Sequence, residues 1–244
     1  MPGLPSGRDL PYHPPVRKSA FAVAIALALV TGLAGARPEA RPTADRPDAA
    51  RIEAALRELL DSEHGPEAWN GAPSLVLLTS IMNYAEGTIA SGFRATSEQL
   101  NDQDLSDLAS DLKQALRDLS DGALDGFRTV TRDRVLPARV GTIVRSGRIV
   151  VGRFRGLARV THNLGYGGRR SKNGVINGGF VLLDADADRD ARQRNLLRTH
   201  ELGHALGYHH VESEPSIMNS RIGSPLTPFD RAMFHLAFFR TPGN

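Results

Sequence analysis

Leucine and isoleucine recur at helical spacing in two stretches of this chain of 244 residues. In the first stretch, over 48–60, one helical face would collect Ile52, Leu56, Leu59 and Leu60. In the second, leucines at 105, 108, 112, 116 and 119 keep the same period, and Gly122 follows the last of them. We therefore predict helices over 48–60 and 102–120, each with one apolar face turned towards a core.

After residue 129 the pattern changes to short β-branched runs broken by glycine, over 140–144, 148–154 and 175–183. We predict strands for these three runs. The apolar run 75–78 fits either a strand or a helix that continues through Met82, and its periodicity does not separate the two. Near the end, Thr227, Pro228 and Asp230 have the spacing of a helix N-cap, a first-turn proline and a capping acid, which predicts a last helix to about residue 240.

The N-terminus has the pattern of a targeting segment. Arg17 and Lys18 precede an apolar run over 20–33, and small residues at 34–36 offer a cleavage site. We predict a signal peptide over 1–36, with a retained N-terminal anchor as the alternative, although the run is short for a membrane span. Residues 37–71 are predicted to be a linker or pro-segment, which leaves 72–244 as one globular domain.

The most informative stretch is 200–210, which reads His-Glu-Leu-Gly-His-Ala-Leu-Gly-Tyr-His-His. Residues four apart share one face of a helix, so His200 and His204 would point the same way. Gly207 can take a positive φ and end the helix, which would let His210 approach from the following segment. Glu201 would lie beside these ligands without replacing one.

This donor set predicts one catalytic Zn²⁺ held by His200, His204 and His210, with its fourth position left to water. Glu201 would take the proton of that water as general base. The alternative is an ordinary amphipathic helix that ends at glycine and carries histidines by chance. His209 adjoins the third ligand, but the spacing favours His210.

Together with a methionine in Ser216-Ile217-Met218-Asn219, the pattern HExxHxxGxxH resembles the metzincin clan of zinc endopeptidases. The resemblance implies an α+β fold: a twisted, mostly parallel sheet with an antiparallel edge strand, a backing helix, an active-site helix, a turn with Met218 beneath the metal, and a C-terminal helix. Two positions depart from families within the clan. Ser220 stands where some members have a tyrosine, and Val211 where others have an acid, so the family stays unassigned.

The predicted signal peptide implies secretion, and the resemblance further implies an enzyme that hydrolyses peptide bonds and binds its substrate along an edge strand. Our candidate for that strand is 175–181, with an interior strand, or an edge strand without this role, as the alternative. We expect a protein or peptide substrate, no nucleic-acid partner, no membrane span in the mature form, and a monomer. Two alternatives stay open: a zinc-stabilised adhesion or binding module without turnover, and a hydrolase of another amide such as a peptidoglycan cross-link.

Three further features affect this interpretation. The chain has no cysteine, so no disulfide would stabilise it outside the cell and no cysteine would mask the zinc. Asp184, Asp186, Asp188 and Asp190 suggest a Ca²⁺ loop, although carboxylates at a helix start are the simpler account. His162 is interpreted as a structural residue of a glycine-rich loop.

Charge is also uneven along the chain, whose formal net charge is +3. The region between Asp133 and Asp184 has no acid but ten basic residues: Arg134, Arg139, Arg145, Arg148, Arg153, Arg155, Arg159, Arg169, Arg170 and Lys172. They form either a solvated or loosely paired sheet edge, or a basic cleft rim that attracts acidic peptides or anionic polymers.

Overall fold

Helices and strands alternate along the chain in the computed structural model, which describes residues 48–62, 65–84, 93–134, 143–221 and 224–240. The helices are α1 (Ala49–Leu59), α2 (Asp102–Leu119), α3 (Leu157–Thr161), α4 (Ala191–Leu206) and α5 (Pro228–Arg240). The strands are β1 (Ala68–Trp69), β2 (Ser74–Leu78), β3 (Ser80–Tyr84), β4 (Phe93–Gln99), β5 (Val130–Asp133), β6 (Arg148–Arg155), β7 (Gly165–Lys172) and β8 (Val175–Asp184).

The strands form one open sheet that is mostly parallel. Strand β6 runs parallel to β2, β3 and β8, while β2 is also parallel to β5, and β1 to β8. Two pairs are antiparallel, β3 with β4 and β7 with β8. The fold is therefore α+β with a mostly parallel sheet, as the sequence analysis predicts at that level.

Alternation along β2 divides the core between the two faces of the sheet. Leu75 and Leu77 join the cluster that contains the buried leucines of α2 and α4. Val76 and Leu78 belong to a second cluster on the opposite face, with Phe154 of β6. The helices α2 and α4 thus cover the first face, and this placement brings α4 under β7 and β8.

Most element predictions agree with the structure to within one or two residues. The predicted helices over 48–60, 102–120 and from 228 correspond to α1, α2 and α5. The start of α5 has the predicted cap, because Thr227 Oγ1 accepts from the Asp230 amide at 3.0 Å and Asp230 Oδ2 accepts from the Thr227 amide at 2.8 Å. The ambiguous run 75–78 is a strand, and the chain continues into β3 instead of a helix.

Three predictions about strands differ from the structure. The glycine-rich segment after His162 is not a loop, because Gly165 starts β7. The run 175–181, predicted as the edge strand, lies inside the sheet, because β8 pairs with β6 on one side and β7 on the other. Of the predicted strand 140–144, residues 140–142 lie outside the described residues, while Ile143 and Val144 are in no strand.

The helix α1 lies within the segment 37–71 and packs against the core. Leu56 and Leu59 are buried there, and α1 contacts α5. By the contacts between its Cα atoms, Ala44–Asn244 is one compact unit, and it contains all the described residues. The predicted signal peptide 1–36 lies outside the described residues. Within the part of the chain that the structure describes, no helix combines the length and apolar character that a membrane crossing requires.

Candidate metal centre

Three histidine side chains converge at the C-terminal half of α4. His200 and His204 lie one helical turn apart on α4, which ends at Leu206, and the next residue, Gly207, has a φ of 112°. His210 approaches from the segment after the helix. The Nε2 atom of His204 is 3.1 Å from the Nε2 of His200 and 3.1 Å from the Nε2 of His210. In the described residues this is the one group of three or more metal-ligand side chains, with ligand atoms within 4.8 Å of one another.

These separations fit one metal ion. Tetrahedral zinc with Zn–N bonds of about 2.0–2.1 Å separates its ligand nitrogens by about 3.3–3.4 Å. The two measured Nε2 separations of 3.1 Å are close to that value. The side chains are therefore already arranged around one point at which their ring nitrogens can meet a cation.

The second nitrogen of two of these rings fixes the tautomer. His200 Nδ1 lies 2.8 Å from the Ile217 carbonyl oxygen, and His204 Nδ1 lies 2.8 Å from that of Tyr208. A carbonyl oxygen only accepts, so each Nδ1 carries the proton and each Nε2 presents a lone pair. Two lone pairs that face each other repel unless a cation lies between them, which supports a metal at this position.

Burial keeps both rings neutral. It lowers the pKa of His200 to about 4 and, with His200 nearby, that of His204 to about 3, although each ring also donates to a backbone carbonyl. Metal binding needs the neutral imidazole, and at neutral pH these ligands have no proton to lose from Nε2.

Glu201 lies next to the first ligand and is only 4% exposed. Burial raises the pKa of its carboxyl to about 8, against a hydrogen bond from the Gly167 amide that favours the ionised form. A cation on the neighbouring histidines would lower this pKa, because opposite charge stabilises the carboxylate. The side chain thus has the placement and the adjustable pKa that a general base requires.

Two glycines of β7 leave room for Glu201. A Cβ atom on Gly165 would lie 2.7 Å from Glu201 Oε1, and one on Gly167 would lie 2.0 Å from the Glu201 backbone oxygen. Glycine at 167 therefore lets strand β7 lie directly on the α4 backbone, and glycine at 165 leaves the Glu201 carboxylate its position. The sequence analysis missed this role, although the spacing of two residues that places both on one strand face was a readable signal.

Met218 lies directly beneath α4. Its side chain is fully buried, and a Cβ on Gly203, between the two helical ligands, would be 2.6 Å from its sulfur. The turn around it is tied to the third ligand's segment, because the Val211 amide donates to the Met218 carbonyl at 3.0 Å. Met218 is thus a packing residue that supports the ligand-bearing segments.

An open cleft runs over the three histidines. His162, Gly165, Gly167 and Ser220 are among the residues that line the cleft. His162 is outside the metal-ligand group and caps α3 with φ of 61°. The cleft gives an extended ligand access to Glu201 and to the ring nitrogens together.

His209 is not part of the histidine group. Its Nε2 lies 2.6 Å from Arg169 Nη2, which donates because a guanidinium has no acceptor. Arg169 also donates to Glu67, which accepts from Ser171 as well. His209 thus connects the loop after α4 to β7, and the Glu67–Arg169 pair is a structural feature that the sequence analysis missed.

The alternating aspartates are used within the protein. Asp184 accepts from the amides of Ala158, Asp186 and Ala187. Asp188 accepts from Arg198 at 2.7 Å and pairs with Arg153. The carboxylates of Asp184 and Asp188 are thus directed at protein donors, and Asp190 Oδ1 accepts from the Gln193 amide at 3.0 Å, as a carboxylate at the start of a helix can.

Several members of the basic region also have acidic partners. Arg145 pairs with Asp133, Arg155 with Glu98, and Arg169 with Glu67. These pairs favour the loosely paired sheet edge over the basic cleft rim.

Comparison with models of known protein families gives no match, and neither does comparison with curated proteins.

Proposed function

We propose that this chain is a zinc-dependent endopeptidase of metzincin type. The observation that carries the proposal is a three-histidine group with a buried carboxylate beside it. A structural zinc site is closed by four protein ligands and needs no base, whereas a catalytic site has three ligands and an open position. Three ring nitrogens converge here, and Glu201 lies next to them under an open cleft.

In the proposed reaction, the histidines bind the metal and Glu201 transfers the proton. His200, His204 and His210 would hold the ion, which when bound lowers the pKa of water and polarises a carbonyl group. Glu201 would accept the proton of the attacking water and then donate it to the leaving amine nitrogen. The hydrogen bond from the Gly167 amide would hold the Glu201 carboxylate in place through both transfers.

We infer that an extended substrate binds along strand β7. This replaces the sequence-based candidate 175–181, which belongs to the interior strand β8. It is antiparallel to β8 and borders the cleft. In the described residues β8 is its one strand partner. A peptide could therefore add to its other edge by backbone hydrogen bonds, with its scissile bond over the histidines.

The arrangement of elements supports the metzincin resemblance. A long helix, α2, covers the sheet beside the ligand-bearing helix α4, and the antiparallel strand β7 lies against α4. Met218 is buried beneath α4, and α5 follows. The export of the chain by a signal peptide over 1–36, and its extracellular location, remain part of this proposal.

The test is cleavage of a diverse peptide mixture by the full chain, with new termini identified by mass spectrometry. We expect cleavage by the parent and by Glu98→Gln, a control carboxylate on β4, but none by Glu201→Gln or by chelated protein. Cleavage by Glu201→Gln at the parent rate would contradict the proposal. Intact peptides with zinc bound by the parent would favour a binding module or another amide substrate, such as a peptidoglycan cross-link.

A further inference from the structure

The segment that carries His210 is held in place by α1, the first helix that the structure describes. The His209 amide donates to the Leu59 carbonyl oxygen at 2.8 Å. On the other side of His210, the amides of Glu212 and Ser213 donate to Glu58 Oε2 at 2.6 and 3.1 Å. The backbone is thus bound by the end of α1 both before and after the third ligand.

A third contact extends this attachment. Arg51 donates through Nε to Glu214 Oε1 at 2.7 Å and through Nη2 to Glu214 Oε2 at 2.5 Å, the two-pronged geometry that fixes orientation as well as distance. The helix α1 is itself well anchored, because Leu56 and Leu59 are 2% and 0% exposed within the main core.

His210 needs such support more than the other two ligands do. His200 and His204 are fixed by the hydrogen-bonded backbone of α4. His210 lies beyond Gly207 in a segment without regular structure, and it is exposed. Its position therefore depends on the contacts of the neighbouring backbone, to α1 on both sides of His210 and, through the Val211 amide, to the Met218 carbonyl.

We infer that α1 is a permanent part of the metal centre, that Glu58 is a positioning residue for the His210 ligand, and that the mature protein retains the chain from Asp48 onward. This divides the segment 37–71, because any processing must then stop before α1. The inference rests on the three-histidine centre and does not require peptidase activity.

The test compares the zinc affinity of full-chain variants by competition with a chromophoric chelator. We expect Glu58→Ala to bind zinc at least about tenfold more weakly than the parent, the lower end for loss of a group that orients a ligand. Glu58→Gln keeps a carbonyl acceptor and should lose less. Arg57→Ala, an exposed residue of the same helix, should bind zinc like the parent.

Zinc affinity that is equal in Glu58→Ala and Arg57→Ala, whether unchanged or lowered alike, would overturn the inference. The unfolding temperature of the zinc-free variants is the companion measurement, because a merely structural role would lower it without a selective loss of zinc affinity. N-terminal sequencing of the mature protein from cells that express the full chain gives a second test. A mature chain that begins at or before Asp48 agrees with the inference, and one that begins after α1 contradicts it.

Both readouts measure metal binding or chain ends. They would still report on α1 if the protein cleaved no peptide, so failure of the peptidase proposal and failure of this inference give different results.

Discussion

The backbone around His200 and His204 determines which nitrogen of each ring carries the proton. Backbone carbonyls take the Nδ1 protons of His200 and His204, which turns both Nε2 lone pairs towards one point. The spacing of these residues in the sequence predicts the donor set. The sequence could not predict the carbonyls of Ile217 and Tyr208, since their position depends on how the chain folds after α4.

Gly165 gives a prediction at this scale. Alanine there would place a Cβ 2.7 Å from Glu201 Oε1, so the carboxylate must move. We expect Gly165→Ala to lower peptide turnover by roughly 100-fold, the cost of a displacement near 1 Å in a catalytic group, with zinc affinity unchanged. Steady-state kinetics and zinc titration on one preparation measure both quantities.

Gly126→Ala is the matched control, because its Cβ would meet only the flexible Lys113 side chain at 3.2 Å. Full turnover by Gly165→Ala would show that Glu201 does not need the space beneath β7.

Among the elements, helices with regular apolar faces are predictable and the strand at the cleft is not. Leucines at a helical period predict α2, and the Thr227–Asp230 cap predicts the start of α5, because these signals are local in sequence. Strand β7 has no apolar alternation to reveal it. Its glycines are needed because α4 packs closely against the strand. That tertiary contact cannot be predicted from the periodicity of the sequence.

The contact between β7 and α4 predicts a stability effect. In Gly167→Ala the new Cβ would lie 2.0 Å from the Glu201 backbone oxygen, which no side-chain rotation relieves. Strand and helix must separate, so we expect a lower unfolding temperature than for Gly126→Ala. Equal unfolding temperatures in a calorimeter would show that the packing adjusts without cost.

Buried ion pairs of Asp188, which precedes α4, give a second prediction at the scale of helices and strands. Asp188 and Arg198 have side chains only 1% exposed, and Arg153 shares the same carboxylate. Asp188→Ala removes the carboxylate that Arg153 and Arg198 share, while Arg198 keeps Asp111 Oδ2 at 2.6 Å from its Nη1, so we expect a loss of about 3 kcal/mol, the lower end for a broken buried pair, in the free energy of unfolding.

Asp125→Ala is the control, because that side chain is 95% exposed and lies 3.9 Å from Arg117. A surface pair of this kind contributes about 0–1 kcal/mol. Urea unfolding curves that coincide for the two variants would contradict the structural role of the Asp188 network.

For the whole molecule, a bound metal would join α4 to the segment with His210, and α1 supports that segment from a distant part of the sequence. Helix α4, the segment with His210 and the Met218 turn meet at the histidines, and α1 supports them. With no cysteine in the sequence, no disulfide can add to this stability.

We therefore expect bound zinc to raise the unfolding temperature. At free zinc a hundred times the Kd, binding to the folded state alone adds about 2.7 kcal/mol to the free energy of unfolding. A chelator should reverse the gain, and His204→Ala should abolish it, while reductant has no effect. If neither zinc nor chelator changed the unfolding temperature, the histidines would hold no ion.

The most direct test of the account is zinc-edge X-ray absorption of the full chain loaded with one equivalent of zinc. Three imidazole nitrogens at about 2.0–2.1 Å and one further oxygen ligand from solvent are predicted, with one imidazole lost in His210→Ala. A site closed by four protein ligands, or a spectrum unchanged in His210→Ala, would contradict an open three-histidine centre.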